Sequence, residues 1–151
     1  MTERSVVHAT FVLERTYRAA PEKVFAHWAD PALKRKWFAS PEEESTEIAM
    51  DFRVGGCEHA SGPAPGGGTY AYDAHYDDIV PGERLVYGYT MDMDGVRISS
   101  SLASVVLEAA GNGTRLIYTE HGVFLDGGDT PETREHGSAE LLDQLGKVVE
   151  R

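Results

Sequence analysis

The stretch TEHGVFLDG at 119–127 sets Glu120 beside His121 in an otherwise apolar run. A carboxylate and an imidazole within reach of one another could form an acid–base dyad or half of a metal site. Strand geometry argues against the dyad, because adjacent residues of a strand point to opposite faces. If Leu116 and Tyr118 face inward, Glu120 follows them and His121 turns to solvent. A carboxylate in that position must be paired, solvated or protonated, since burying it alone is costly. Two readings stay open for Glu120: the polar end of a pocket, or a structural salt bridge with Arg15, which has inward parity on the first strand.

Other chemistries find less support. The six histidines, at 8, 27, 59, 75, 121 and 136, show neither His-x-x-x-His nor His-Glu-x-x-His spacing, so no metal is expected. There is no Gly-x-Ser-x-Gly elbow, and Gly66-Gly67-Gly68 has no helix after it to complete a phosphate cradle. No cofactor is expected. Cys57 is the single cysteine, which excludes an internal disulfide and reads as a small buried packing residue.

Charge narrows the partners. With 14 Lys+Arg against 25 Asp+Glu the net charge is −11, which repels phosphate backbones and anionic headgroups. Neither nucleic acid nor a membrane is expected as a partner. The cluster Lys34-Arg35-Lys36 reads as a solvated helix face. No stretch nears the roughly 18 apolar residues of a membrane span, and MTERSVVHATF lacks the pattern of a leader, so the expected location is cytoplasmic. A length of 151 residues suits one domain, 1–151.

The elements that must position Glu120 follow from periodicity and turn chemistry. Residues 8–18 alternate, with Ala9, Phe11, Leu13 and Tyr17 on one face of a first strand. Pro21 and Pro31 open two short helices, the second capped by Asp30. Val24, Phe25 and Trp28 form the apolar side of one, Leu33 and Trp37 that of the other. From Glu44 to Leu125 the chain reads as a strand meander, broken at Gly55-Gly56, the Gly/Pro-rich 62–68 loop, Pro81-Gly82, Asp94-Gly95 and Gly111-Asn112-Gly113. Thr130-Pro131 starts a long helix over 131–150, with Ser138, Leu141, Leu142, Leu145, Val148 and Val149 along one stripe. That stripe needs the inner face of the sheet as its partner.

The turn at 111–113 sets a register: Leu107 opposite Leu116, Val105 opposite Tyr118, Ala103 opposite Glu120, Ser101 opposite Gly122 and Ser99 opposite Phe124. Across Asp94-Gly95, Tyr89 falls beside Ser99 and Tyr87 beside Ser101, with Leu85 and Met91 on the same face. Tyr70, Tyr72 and Tyr76 have even parity but Ile79 is odd, which a bulge near Asp77-Asp78 would reconcile.

Five segments together resemble the SRPBCC (START-like) superfamily: TYRAAPEKVFAHWADPALKRKWF at 16–38, DFRVGG at 51–56, HYDDIVPGERLVYGYTM at 75–91, GTRLIYTEHGVFLDG at 113–127 and REHGSAELLDQLGKVV at 134–149. Within it the chain is similar to bacterial proteins resembling the C-terminal domain of the heat-shock-protein-ninety ATPase activator. The resemblance implies an α+β helix-grip fold, a curved antiparallel sheet around a long C-terminal helix with two short helices after strand one, and an internal cavity. Relatives bind lipids, sterols, polyketides and other apolar molecules. The family's closing Gly-Trp is Gly137-Ser138 here, which implies extra room beside the helix.

The reading is therefore of a domain that binds a small hydrophobic or aromatic ligand. Tyr87, Tyr89, Ser99, Ser101, Tyr118 and Glu120 are expected around it, Trp37 and Phe38 at its lip, and Phe124, Leu141 and Leu145 lining it. Trp28 and Phe25 are assigned to core packing. A ligand hydroxyl or amine would suit Glu120. A polyketide-cyclase-like or hydrolase-like enzyme using Glu120 as acid or base is the second reading. An interaction with a chaperone, as in the eukaryotic activator, is the third, weakened because that activator uses a further N-terminal domain not expected here. An exposed sheet edge offers a route to a homodimer.

Overall fold

Alternation over the first strand produces what the sequence predicts: Phe11 and Tyr17 are buried, while Thr10, Val12, Glu14 and Thr16 are exposed. The computed structural model describes residues 3–39, 46–64 and 66–151. Glu44, the expected start of the strand region, and Pro65 of the Gly/Pro-rich loop lie outside them. In chain order the elements are β1 (Val6–Tyr17), α1 (Pro21–Ala29), α2 (Pro31–Phe38), β2 (Glu47–Met50), β3 (Cys57–Pro63), β4 (Thr69–Val80), β5 (Arg84–Met93), β6 (Val96–Ala110), β7 (Gly113–Leu125) and α3 (Pro131–Val149). The strands make one antiparallel sheet in the order β1-β7-β6-β5-β4-β3-β2. Curved around α3, this is the helix-grip arrangement.

Local chemistry explains the helix starts. Pro21 and Pro31 occupy first-turn positions where a missing N–H costs nothing. The Asp30 carboxylate accepts the Ala32 N–H at 2.8 Å, and Thr130 Oγ1 accepts the Thr133 N–H at 3.1 Å at the start of α3. The apolar stripe of α3 packs where expected, with Leu142, Leu145, Val148 and Val149 buried. The Tyr17 hydroxyl donates to the Leu142 carbonyl at 2.7 Å, joining β1 to the helix. Gly146 permits this approach, since a Cβ there would lie 2.9 Å from the Tyr17 ring.

The β6–β7 pairing matches the proposed register at every position, from Leu107 opposite Leu116 to Ser99 opposite Phe124. The β5–β6 pairing does not. Tyr89 lies opposite Ser101 and Tyr87 opposite Ala103, with Met91 opposite Ser99, two residues from expectation. The turn pairs Met93 with Val96, one residue from the expected phase, and the irregularity between Met91 and Asp92 adds the second; because the total shift is even, the inward face is preserved. In β4 the register breaks between Tyr76 and Asp78, so the expected bulge is present and returns Ile79 to the inner face.

Two further expectations are corrected. Cys57 is exposed, because Glu58 and Ala60 hold the inward parity of β3. Lys34 is not on a solvated face: its side chain is 3% exposed and its ammonium lies 2.6 Å from Glu58, itself 0% exposed. Arg35 and Lys36 do face solvent. The phase of α2 turns Lys34 inward with Trp37, one turn away.

Candidate functional site

Between the sheet and the first half of α3 lies a pocket of about 620 Å³. Its walls come from three directions. Helices α1 and α2 supply Trp28, Trp37 and Phe38; strands β4 and β5 supply Tyr70, Tyr72, Tyr87, Tyr89, Met91 and Met93; α3 supplies Gly137, Ser138 and Leu141. Parity explains the strand contribution, because residues two apart on β4 and on β5 share the inner face. The aromatic wall is continuous: ring centroids are 4.7 Å apart for Trp28 and Trp37, 5.2 Å for Phe38 and Tyr72, and 5.0 Å for Tyr72 and Tyr89.

Of the residues expected to meet a ligand, Trp37, Phe38, Tyr87, Tyr89, Tyr118 and Leu141 line this pocket. Trp37 is wall and not lip, being 2% exposed with its Nε1–H donated to the His27 carbonyl at 2.8 Å. Trp28, assigned to the core, is both packed there and part of the wall. Ser99, Ser101, Glu120, Phe124 and Leu145 do not line the pocket. Leu145 is inside the core. Phe124 folds over the Gly122 gap, where a Cβ would come within 2.9 Å of its ring.

Glu120 is 0% exposed and lies behind the pocket wall. Tyr118 donates to its Oε1 at 2.5 Å, and the Tyr89 hydroxyl lies 2.8 and 2.9 Å from its two oxygens. Burial holds both phenols well above their ordinary range, and the Glu120 carboxylate adds to the effect. The cation facing Glu120 is Arg134, at 3.4 Å, and not Arg15. Arg15 pairs instead with Asp143 at 2.6 Å, across the end of the sheet where α3 is closest. His121 is exposed on the outer face, 2.9 Å from Thr10 Oγ1, so the two neighbours of the sequence are not a dyad.

Arg134 is the residue that strand reasoning overlooks. Its Nη1 donates to the Tyr89 hydroxyl at 2.9 Å, and its Nη2 donates to Ser99 Oγ at 2.7 Å and lies 3.0 Å from Asp129 Oδ2. The guanidinium carbon is 5.5 Å from the Tyr89 ring centroid and 5.3 Å from that of Phe124. A signal was available, since Arg134, Ser138, Leu141 and Leu145 continue one helical stripe at steps of four, three and four. The pair Lys34–Glu58 carried no such signal. It lies behind the opposite wall, with the ammonium 4.6 Å from the Phe38 ring centroid and Tyr76 donating to Glu58 Oε1 at 2.5 Å. Burial lowers the Lys34 pKa, and Glu58 opposes that shift. Among the described residues, no group of three or more His, Cys, Asp or Glu is arranged to hold a metal ion, and no helix is long and apolar enough to cross a membrane.

The sequence matches the family described as Activator of Hsp90 ATPase homolog 1-like protein over residues 18–150. Among solved structures, a protein of Rhizobium leguminosarum is 42% identical, with 99% of each chain covered and a TM-score of 0.93. The Mll3558 protein of Rhizobium loti is also 42% identical, covering 95% of this chain and 99% of its own, with a TM-score of 0.87. Protein CV1439 of Chromobacterium violaceum is 28% identical over 95% of this chain and 99% of its own, with a TM-score of 0.71. No curated protein matches the chain.

Proposed function

Given that the chain belongs to the Activator of Hsp90 ATPase homolog 1-like family, within the SRPBCC superfamily whose fold commonly binds hydrophobic ligands, we propose that it binds a small hydrophobic or aromatic molecule between α3 and the sheet. The observation that carries this reading is the pocket itself. Its volume of about 620 Å³ falls within the range of roughly 300–1,000 Å³ usual for small-molecule sites, and its wall is aromatic with a few polar groups at one end. The tyrosines Tyr72, Tyr87, Tyr89 and Tyr118 offer flat apolar faces, while hydrogen bonding holds Tyr89 and Tyr118 in place.

The reading in which Glu120 is a catalytic acid or base is less well supported by the geometry. Both of its oxygens already accept hydrogen bonds, and Tyr89 and Tyr118 stand between it and the pocket. A general base must come within hydrogen-bond reach of the substrate proton. Here that would require the tyrosines to move.

Ser138→Trp tests the binding reading. Ser138 is on the wall of a pocket of about 620 Å³, so an indole placed there would occupy part of that space. Titration of the neutral fluorophore N-phenyl-1-naphthylamine should give saturable binding to the parent protein, and S138W should weaken it by at least about tenfold. A folded S138W protein that binds the probe as tightly as its parent would overturn the reading.

A further inference from the structure

The polar end of the pocket carries a charge pattern that bears on what kind of head group it can receive. Among the described residues, the charged side chains on the pocket wall are Asp129, Arg134 and Glu140. An arginine at the end of an apolar pocket would ordinarily suggest a carboxylate ligand, bound through two parallel N–H donors. Arg134 is not available for that. Of its five N–H donors, the four on the terminal nitrogens face four acceptors, the Tyr89 hydroxyl at 2.9 Å and Glu120 Oε2 at 3.4 Å for Nη1, Ser99 Oγ at 2.7 Å and Asp129 Oδ2 at 3.0 Å for Nη2, so either bidentate pairing, Nη1 with Nη2 or Nε with Nη2, would use a nitrogen already engaged. An entering carboxylate would have to displace at least one of them and would meet Glu120 and Asp129 at close range.

Acceptor capacity, by contrast, is left over. Asp129 Oδ1 accepts the Thr130 N–H at 2.8 Å and Oδ2 faces Arg134, which uses about half of the four sites a carboxylate offers. Its side chain is 15% exposed and on the pocket wall, so its remaining lone pairs can meet a ligand. The electron-rich faces of Tyr72, Tyr87 and Tyr89 also favour a cation over an anion.

We propose that this pocket selects aromatic molecules bearing a hydrogen-bond donor, an amine above an alcohol, and rejects the corresponding carboxylates. Asp129 receives the donor group, and Glu120 is a positioning residue that keeps the Arg134 charge offset. The inference rests on the binding reading above and adds the chemical class of the ligand to it.

Three probes with one skeleton separate the two claims: 2-naphthylmethylamine, 2-naphthalenemethanol and 2-naphthoic acid, titrated near neutral pH by calorimetry. Sodium chloride at about 0.5 M suppresses the long-range attraction of an acidic protein for any cation. The amine should bind at least about tenfold more tightly than the acid, with the alcohol between them. Asp129→Asn should bring the amine down to the alcohol, and Glu120→Gln should narrow the gap between acid and alcohol. An acid that binds the unaltered protein as well as the amine does would overturn the inference while leaving the binding reading in place. An amine preference untouched by Asp129→Asn would remove Asp129 from its role. If none of the three binds, the binding reading fails and this inference fails with it.

Discussion

Replacing Lys34 by Met should destabilise the protein far more than a surface lysine would. The Lys34 ammonium is 2.6 Å from Glu58, with side-chain exposures of 3% and 0%, so neither charge has water to fall back on. Removing one member of a buried pair leaves the other uncompensated, at a cost of about 3–5 kcal/mol. For a chain of 151 residues that corresponds to a fall in Tm of about 10 °C, at roughly 2–4 °C per kcal/mol. Glu58→Gln keeps an acceptor for the Tyr76 hydroxyl, which lies 2.5 Å from Glu58 Oε1, while removing the charge. The K34M/E58Q protein should therefore recover about 2 kcal/mol or more of the loss predicted by adding the two single changes. Urea unfolding of the four proteins closes the cycle. Single effects that add to within about 0.5 kcal/mol would refute the claim that the two charges depend on each other.

Two further outcomes follow from the packing. Burial raises the pKa of Tyr17, Tyr72, Tyr76, Tyr87, Tyr89 and Tyr118 above the ordinary 10.0, so all six stay neutral in the folded protein while the unfolded chain begins to ionise. Stability should be unaffected by these groups below pH 10 and fall above it, by up to about 1.4 kcal/mol per pH unit for each tyrosine. Lys34 works in the opposite sense, since its lowered pKa makes the folded state gain as pH rises towards 10.5, but it is one group against six. Tyrosinate absorbance should therefore rise together with the loss of the circular dichroism of the sheet, and ionisation of most tyrosines in a still-folded protein would contradict this. Gly122→Ala places a methyl 2.9 Å from the Phe124 ring, and overpacking of this kind costs about 1–3 kcal/mol. A G122A protein with an unchanged urea midpoint would show that Phe124 can move aside.

What could be read from the sequence depended on distance along the chain. The β6–β7 register followed from one short turn and a parity argument, and it placed Glu120 inward and His121 outward correctly. The β5–β6 register differs from expectation by two, one residue from the Met93–Val96 pairing at the turn and one from the irregularity between Met91 and Asp92, and neither leaves a mark in the hydrophobic pattern. Glu120 was legible as a buried carboxylate, but its partner was not. Arg15 shares its parity, yet lies nearer Asp143 on α3, while Arg134 arrives from the start of that helix. Lys34 and Glu58 are 24 residues apart, on a helix and a strand whose meeting depends on the whole sheet. A run of three basic residues carries no sign of which one turns inward.

The bulge at Asp77 divides β4 into two segments with separate tasks. Before it, Tyr70 and Tyr72 align with the pocket wall and Tyr76 reaches Glu58. After it, Ile79 faces inward opposite Leu85. The extra residue works as a phase adjuster between the two, so the hairpin tip at 81–83 can change its length or its chemistry without rotating the tyrosines upstream.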